Sequence, residues 1–124
     1  MIENISYTED EIALAFAERY AGELAYASDS TARADLRWYE RTPDGWAHEK
    51  TLRVQLLIRQ LCAEIRECCD DPEIVARLSS RQMFGDIELL ARCDPRLAKT
   101  REELGFPVKA KEKAKAKAKG ISVE

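Results

Sequence analysis

Between Thr51 and Cys69 the apolar residues Val54, Leu57, Ile58, Leu61, Cys62, Ile65 and Cys68 or Cys69 recur at spacings of three and four. Arg53, Arg59, Glu64, Arg66 and Glu67 fall between them. Only a helix of about 3.6 residues per turn brings such positions onto one face. The spacing therefore predicts a long amphipathic helix that must bury one side. A chain of 124 residues has room for one core, so this helix is expected at its centre.

The flanking segments are read around it. Thr8-Glu-Asp-Glu11 has the form of a capping box, in which a threonine hydroxyl accepts from the backbone three residues on. Ile12, Phe16, Tyr20 and Leu24 follow at four-residue spacing, so a first helix is expected to run to between Ala25 and Ser28. Residues 29–35 are small and polar and read as a loop. Leu36 to Glu40 is aromatic-rich, Thr42-Pro-Asp-Gly45 has turn chemistry, and Trp46 to Glu49 resumes, which predicts a β-hairpin. Alternation puts Leu36, Trp38 and Glu40 on one face of its first strand, Arg37 and Tyr39 on the other, and Trp46 with His48 on one face of the second. Asp71 and Pro72 suit a helix start, giving a short helix to about Leu78. Ser79-Ser-Arg-Gln82 reads as another capping box ahead of Met83, Phe84, Ile87, Leu90 and Ala91. Pro95 opens a last short helix around Leu97 to Leu104.

From Lys109 the chain alternates lysine with small or charged residues and cannot join a core. Residues 1–108 carry 14 Lys+Arg against 21 Asp+Glu, whereas 109–124 carry 6 Lys against 2 Glu. The body is thus −7 and the tail +4. The expected organisation is a domain over 1–108 and a solvated, disordered Lys/Ala-rich tail over 109–124. The fold class expected is mainly α within α+β: four to five helices around the long central one, one small hairpin, and the basic tail. No apolar run approaches the roughly 20 residues of a membrane span, and Met1-Ile-Glu-Asn-Ile-Ser6 lacks a basic start followed by an apolar stretch, so a cytoplasmic protein without membrane contact is expected.

Catalytic signals are sparse. Cys62, Cys68, Cys69 and Cys93 lack the spacing of a zinc site and read as reduced structural cysteines. The one histidine, His48, has no local nucleophile to serve and reads as a half-exposed strand residue. The carboxylate pairs Asp70-Asp71 and Asp86-Ile-Glu88 read as helix punctuation and as solvated charge on a helix flank. Gly22, Gly45, Gly85, Gly105 and Gly120 are too scattered for a phosphate-cradling loop. No catalytic residue, metal site or cofactor is assigned. What stands out is Arg37, Trp38, Tyr39, Arg41 and Trp46, basic and aromatic residues interleaved as in surfaces that stack and neutralise single-stranded nucleic acid, although a hairpin needs the same residues to cap a core. Lys109, Lys111, Lys113, Lys115, Lys117 and Lys119 could add non-specific phosphate contacts.

Residues 8–106 resemble the poxvirus-type primase-helicase N-terminal-like domain. The likeness rests on residues 13–20 (Ala-Leu-Ala-Phe-Ala-Glu-Arg-Tyr), 24–26, 38–40, Asp44-Gly45-Trp46 followed by the long helix, 78–80, and 89–97 (Leu-Leu-Ala-Arg-Cys-Asp-Pro-Arg-Leu). In phage and plasmid primases of the satellite-phage class that module precedes a superfamily-three helicase ATPase, whose motifs have no counterpart here. The resemblance implies a non-catalytic accessory or interdomain module of DNA replication, with single-stranded DNA, and primase or helicase domains in trans, as partners. The other reading is a protein-interaction module, or a truncated prophage remnant, without DNA affinity.

Overall fold

The computed structural model describes residues 7–33 and 36–106, and the lysine tail lies outside them. Helix α1 (Glu9–Tyr20) is followed by strands β1 (Leu24–Ala27), β2 (Trp38–Thr42) and β3 (Gly45–His48). Helices α2 (Arg53–Glu67), α3 (Pro72–Arg77) and α4 (Arg81–Arg92) come next, and then a two-residue strand, β4 (Ala98–Lys99). The protein is α+β, with a mixed sheet in the order β3-β2-β1-β4.

The helices start where local chemistry can satisfy their free N–H groups. Thr8 Oγ1 accepts from Glu11 N at 3.3 Å, and Glu9, Asp10 and Glu11 oppose the positive end of the α1 dipole. Asp71 Oδ1 accepts from Glu73 N at 2.9 Å with Pro72 in the first turn of α3. The cap of α4 is Ser80 rather than Ser79, accepting from Met83 N at 3.1 Å.

Two expected helical stretches are strand. Helix α1 stops at Tyr20, and Gly22 at φ +84° turns the chain into β1. All four residues of β1 are buried. A short strand covered on both faces is continuously apolar, and periodicity cannot separate it from a buried helical segment. Position 24 also continues the spacing of Ile12, Phe16 and Tyr20 by coincidence of count. Where a last helix was expected over 97–104, Leu97 enters the core and Ala98–Lys99 pairs parallel to Tyr26–Ala27. The chain then turns, with Gly105 at φ +95°.

β1 is therefore interior, antiparallel to β2 through Leu24↔Glu40, Ala25↔Tyr39 and Tyr26↔Trp38. β2 continues antiparallel to β3 from Tyr39↔His48 to Thr42↔Gly45. Between them Thr42 Oγ1 donates to Gly45 O at 2.7 Å and accepts from Asp44 N at 3.2 Å.

One sheet face, with Leu24, Tyr26 and Trp38, packs on Ile12, Phe16, Ile58, Leu61, Ile65, Met83, Ile87 and Leu97. In this layer α4 lies against both α1 and α2, while α1 and α2 meet only lightly, so the middle position falls to α4 rather than to the longer α2. The other face, with Ala25, Ala27 and Tyr39, is covered by Leu104, with Trp46 and Phe106 against it. Asp29 holds that cover in place by accepting from Arg101 N at 3.0 Å.

The start of α2 is unusual. Its N-cap, Leu52, sits at φ 58°, ψ 31° and offers no side-chain bond. Glu49, 4% exposed, does the capping from three residues earlier, accepting from Thr51 Oγ1 at 2.9 Å and Val54 N at 3.3 Å. Burial alone would raise the Glu49 carboxyl, but hydrogen bonds from Thr51, Val54 and Arg53 outweigh it and hold the group below its ordinary value of 4.5.

Two outcomes follow. Leu52→Gly removes the cost of a left-handed β-carbon and should raise unfolding free energy by roughly 0.5–1 kcal/mol in urea titrations. Because the folded-state value of Glu49 is depressed, its contribution is present above the unfolded value and is lost as pH falls through the folded one. The stability gap between the wild type and Glu49→Gln should thus be widest near neutrality and close below about pH 4.

Candidate functional site

β2 divides the five basic and aromatic candidates between two environments. Trp38 points into the helical core at 1% exposure, so neither ring face can stack on a base. Arg37 is occupied by the neighbouring loop, donating from Nε to Ala32 O at 2.7 Å and from Nη1 to Ser28 O at 3.1 Å. Tyr39 is 7% exposed, donates to Ser30 Oγ at 3.3 Å, and has its ring against Phe106 at 5.3 Å. On the outer face Arg41 is exposed and Trp46 is half-buried at the margin of the cluster under Leu104. They are cross-strand partners, and the Arg41 guanidinium lies 5.6 Å from the centre of the Trp46 ring. His48 shares their side of the sheet and is half-buried, with Nε2 against the Leu36 carbonyl. Lys109, Lys111, Lys113, Lys115, Lys117 and Lys119 lie outside the described residues.

Glu88 corrects the reading of Asp86-Ile-Glu88 as solvated charge. It is 7% exposed, and its carboxylate accepts from Trp38 Nε1 at 2.7 Å and from Arg92 Nε and Nη2 at 2.6 and 2.7 Å. Arg92 also lies over the Tyr26 ring at 5.0 Å, and Tyr26 meets Trp38 edge-on at 5.2 Å. A charge this deep is tolerable only because every side of it is paired. The four residues bolt β1 and β2 to α4.

On the far side of Glu88 the surface opens into a groove between α2 and α4. Two adjoining hollows, of about 380 and 310 Å³, share Arg59 and Phe84. Leu56, Gln60, Ala63, Arg66 and Ser79 complete one, and Gln55, Arg81, Gly85 and Glu88 the other. Arg59 and Arg81, one on each helix, form no ion pair or side-chain hydrogen bond with any described residue. Gly85 has an unremarkable φ, and a β-carbon added there would meet nothing within 4 Å. Mid-helix glycine costs about 1 kcal/mol relative to alanine, so its effect here is an open notch rather than relief of a clash. The groove was missed because no single segment contains it. The available signals were Leu56, an apolar residue off the buried stripe of its helix, and a glycine inside a helical pattern without a turn to explain it.

Of the four cysteines read as structural, only Cys62 is buried. Burial pushes its thiol up to about 11 despite the nearby Arg66, and keeps it protonated. Cys68 and Cys93 are exposed and Cys69 is intermediate. Among the described residues no three His, Cys, Asp or Glu side chains are placed to share a metal ion, and no described helix is long and apolar enough to cross a membrane. Comparisons with protein-family models, curated proteins and solved structures found no match to the chain.

Trp38 and Glu88 should therefore behave as structural residues. Glu88→Ala leaves the buried indole N–H of Trp38 without its acceptor and removes the carboxylate that Arg92 binds, and should cost about 3 kcal/mol. Trp38→Phe keeps most of the packing and should cost about 2 kcal/mol. Thermal unfolding followed by near-ultraviolet circular dichroism reads both losses.

Proposed function

We propose that the chain is a non-catalytic accessory module that contacts single-stranded DNA through the outer face of β2 and β3, beside primase or helicase domains acting in trans. The observation that supports it is the Arg41–Trp46 pair, an exposed cation over a half-buried indole on the edge strand β3. An aromatic face can stack on any base, and an adjacent guanidinium can meet the phosphate that follows it. The resemblance of residues 8–106 to the primase-helicase module supplies the replication setting. The acidic body limits such contact to local patches, and Trp46 with the tail lysines would make two of them. A second reading, binding of protein without DNA, is favoured by the α2–α4 groove and by Arg59 and Arg81 in it, which have no carboxylate among the described residues.

Fluorescence anisotropy of labelled oligo(dT) with the full chain tests the DNA reading. Trp46→Ala should weaken binding roughly 5- to 50-fold. Arg41→Ala should weaken it less and reduce the log–log salt slope by about 0.7. Replacing the six tail lysines with glutamine should leave the Trp46 effect in place. The reading fails if no oligo(dT) binds, or if binding ignores Trp46 and disappears with the tail charges.

A further inference from the structure

We infer that the groove between α2 and α4 is a docking site for an acidic amphipathic helix of a partner protein. The inference rests on different residues from those of the DNA reading and stands or falls apart from it.

Three features of the lining set the occupant's chemistry. The first is apolar relief. Phe84 is half-buried between the helices, and Leu56 beside it is 49% exposed. Isolated exposed leucines are ordinary. Leu56 differs in lying on the wall of a hollow that also holds Phe84, and the two give an apolar strip that the anchors of a second helix can cover. The second is small residues at the close approach. Ala63 on α2 and Gly85 on α4 leave the open volume, with nothing over the glycine within 4 Å. From Gln55 to Arg66 the α2 wall runs about 16 Å, close to three helical turns.

The third feature is charge, which selects the partner. Arg19, Arg53, Arg92 and Arg96 each have a carboxylate. Arg59 and Arg81 have none among the described residues, and Arg66 spends one N–H on Leu78 O at 3.1 Å. The one carboxylate in the lining, Glu88, is already bound by Arg92 and Trp38. A positive groove thus lies on a body of charge −7. An extended polyanion would run past the groove onto the acidic body and meet its repulsion there. A three-turn segment with apolar residues on one side and Asp or Glu on its flanks stays within the positive area. It would also give both free guanidiniums carboxylate partners, the geometry arginine suits best.

The test uses the full chain and a fluorescein-labelled synthetic helix of about four turns, with leucine at i, i+3 and i+7 and glutamate on the flanks. A version with lysine for every glutamate is the control. Anisotropy should show saturable binding of the glutamate peptide, weakened by salt, and none of the lysine peptide. Arg59→Glu combined with Arg81→Glu should weaken the glutamate peptide about tenfold or more and admit the lysine peptide. Gly85→Leu, which fills the notch without changing charge, should weaken it comparably, while Trp46→Ala should not. Absence of saturable binding, equal binding of both peptides, or indifference to the arginine reversal overturns the proposal. Displacement of the peptide by oligo(dT), with the same dependence on Arg59 and Arg81, would also overturn it and make the groove a nucleic-acid surface.

Discussion

The Glu88 carboxylate, buried between Arg92 and the Trp38 indole, is the contact on which the arrangement of sheet and helices depends. A buried ion pair adds little net stability over an apolar substitute, but it is intolerant of misplacement, because any displaced partner leaves an unpaired charge in the interior. Its geometry therefore restricts how α4 can rotate over β1 and β2. Met83, Ile87 and Ala91 face the core from the same helix. With α4 so oriented, Phe84 and Gly85 face α2, and the groove follows as a consequence of the core.

The same economy of positions explains the sheet. β1 is covered by helices on one side and by Leu104 and Phe106 on the other, so its neighbours inherit two different faces. Trp38 and Tyr39 are adjacent in sequence, yet one goes to the main core and the other beneath the C-terminal cover. The pairing with β4 and the Asp29 contact to Arg101 close this second layer. The outer edge at Arg41 and Trp46 and the groove on the helical side are two described surfaces of different chemistry on opposite layers of a small protein.

Much of the local structure was legible residue by residue. The Thr8 and Asp71 caps, Pro72 at a helix start and the amphipathic period of α2 are interactions within four or five residues, and the sequence contains both partners of each. The failures share a cause. β1 is a strand because it pairs with β2 and β4, and β4 because it pairs with β1, contacts that join residues more than 70 apart in the case of Tyr26 and Ala98. Leu24-Ala-Tyr-Ala27 carries no alternation because both its faces are buried. Ser80 in place of Ser79 as a cap is a one-residue matter decided by where α3 ends.

The candidate site divides along the same line. Residue type alone identified Arg37, Trp38, Tyr39, Arg41 and Trp46 as an unusual basic and aromatic set. Whether an aromatic ring stacks on a ligand or on the core depends on what lies over the sheet, and helix α4, some fifty residues later, took Trp38. By itself the sequence determined the amphipathic period of α2, the Thr8 and Asp71 caps, the acidic body and the basic tail, because periodicity, hydrogen-bonding type and charge are properties of neighbouring residues. Only the tertiary structure decided the sheet order, the burial of Glu88 and the placing of Arg59 and Arg81 on the walls of one groove, because each of those depends on which distant side chain arrives to exclude water.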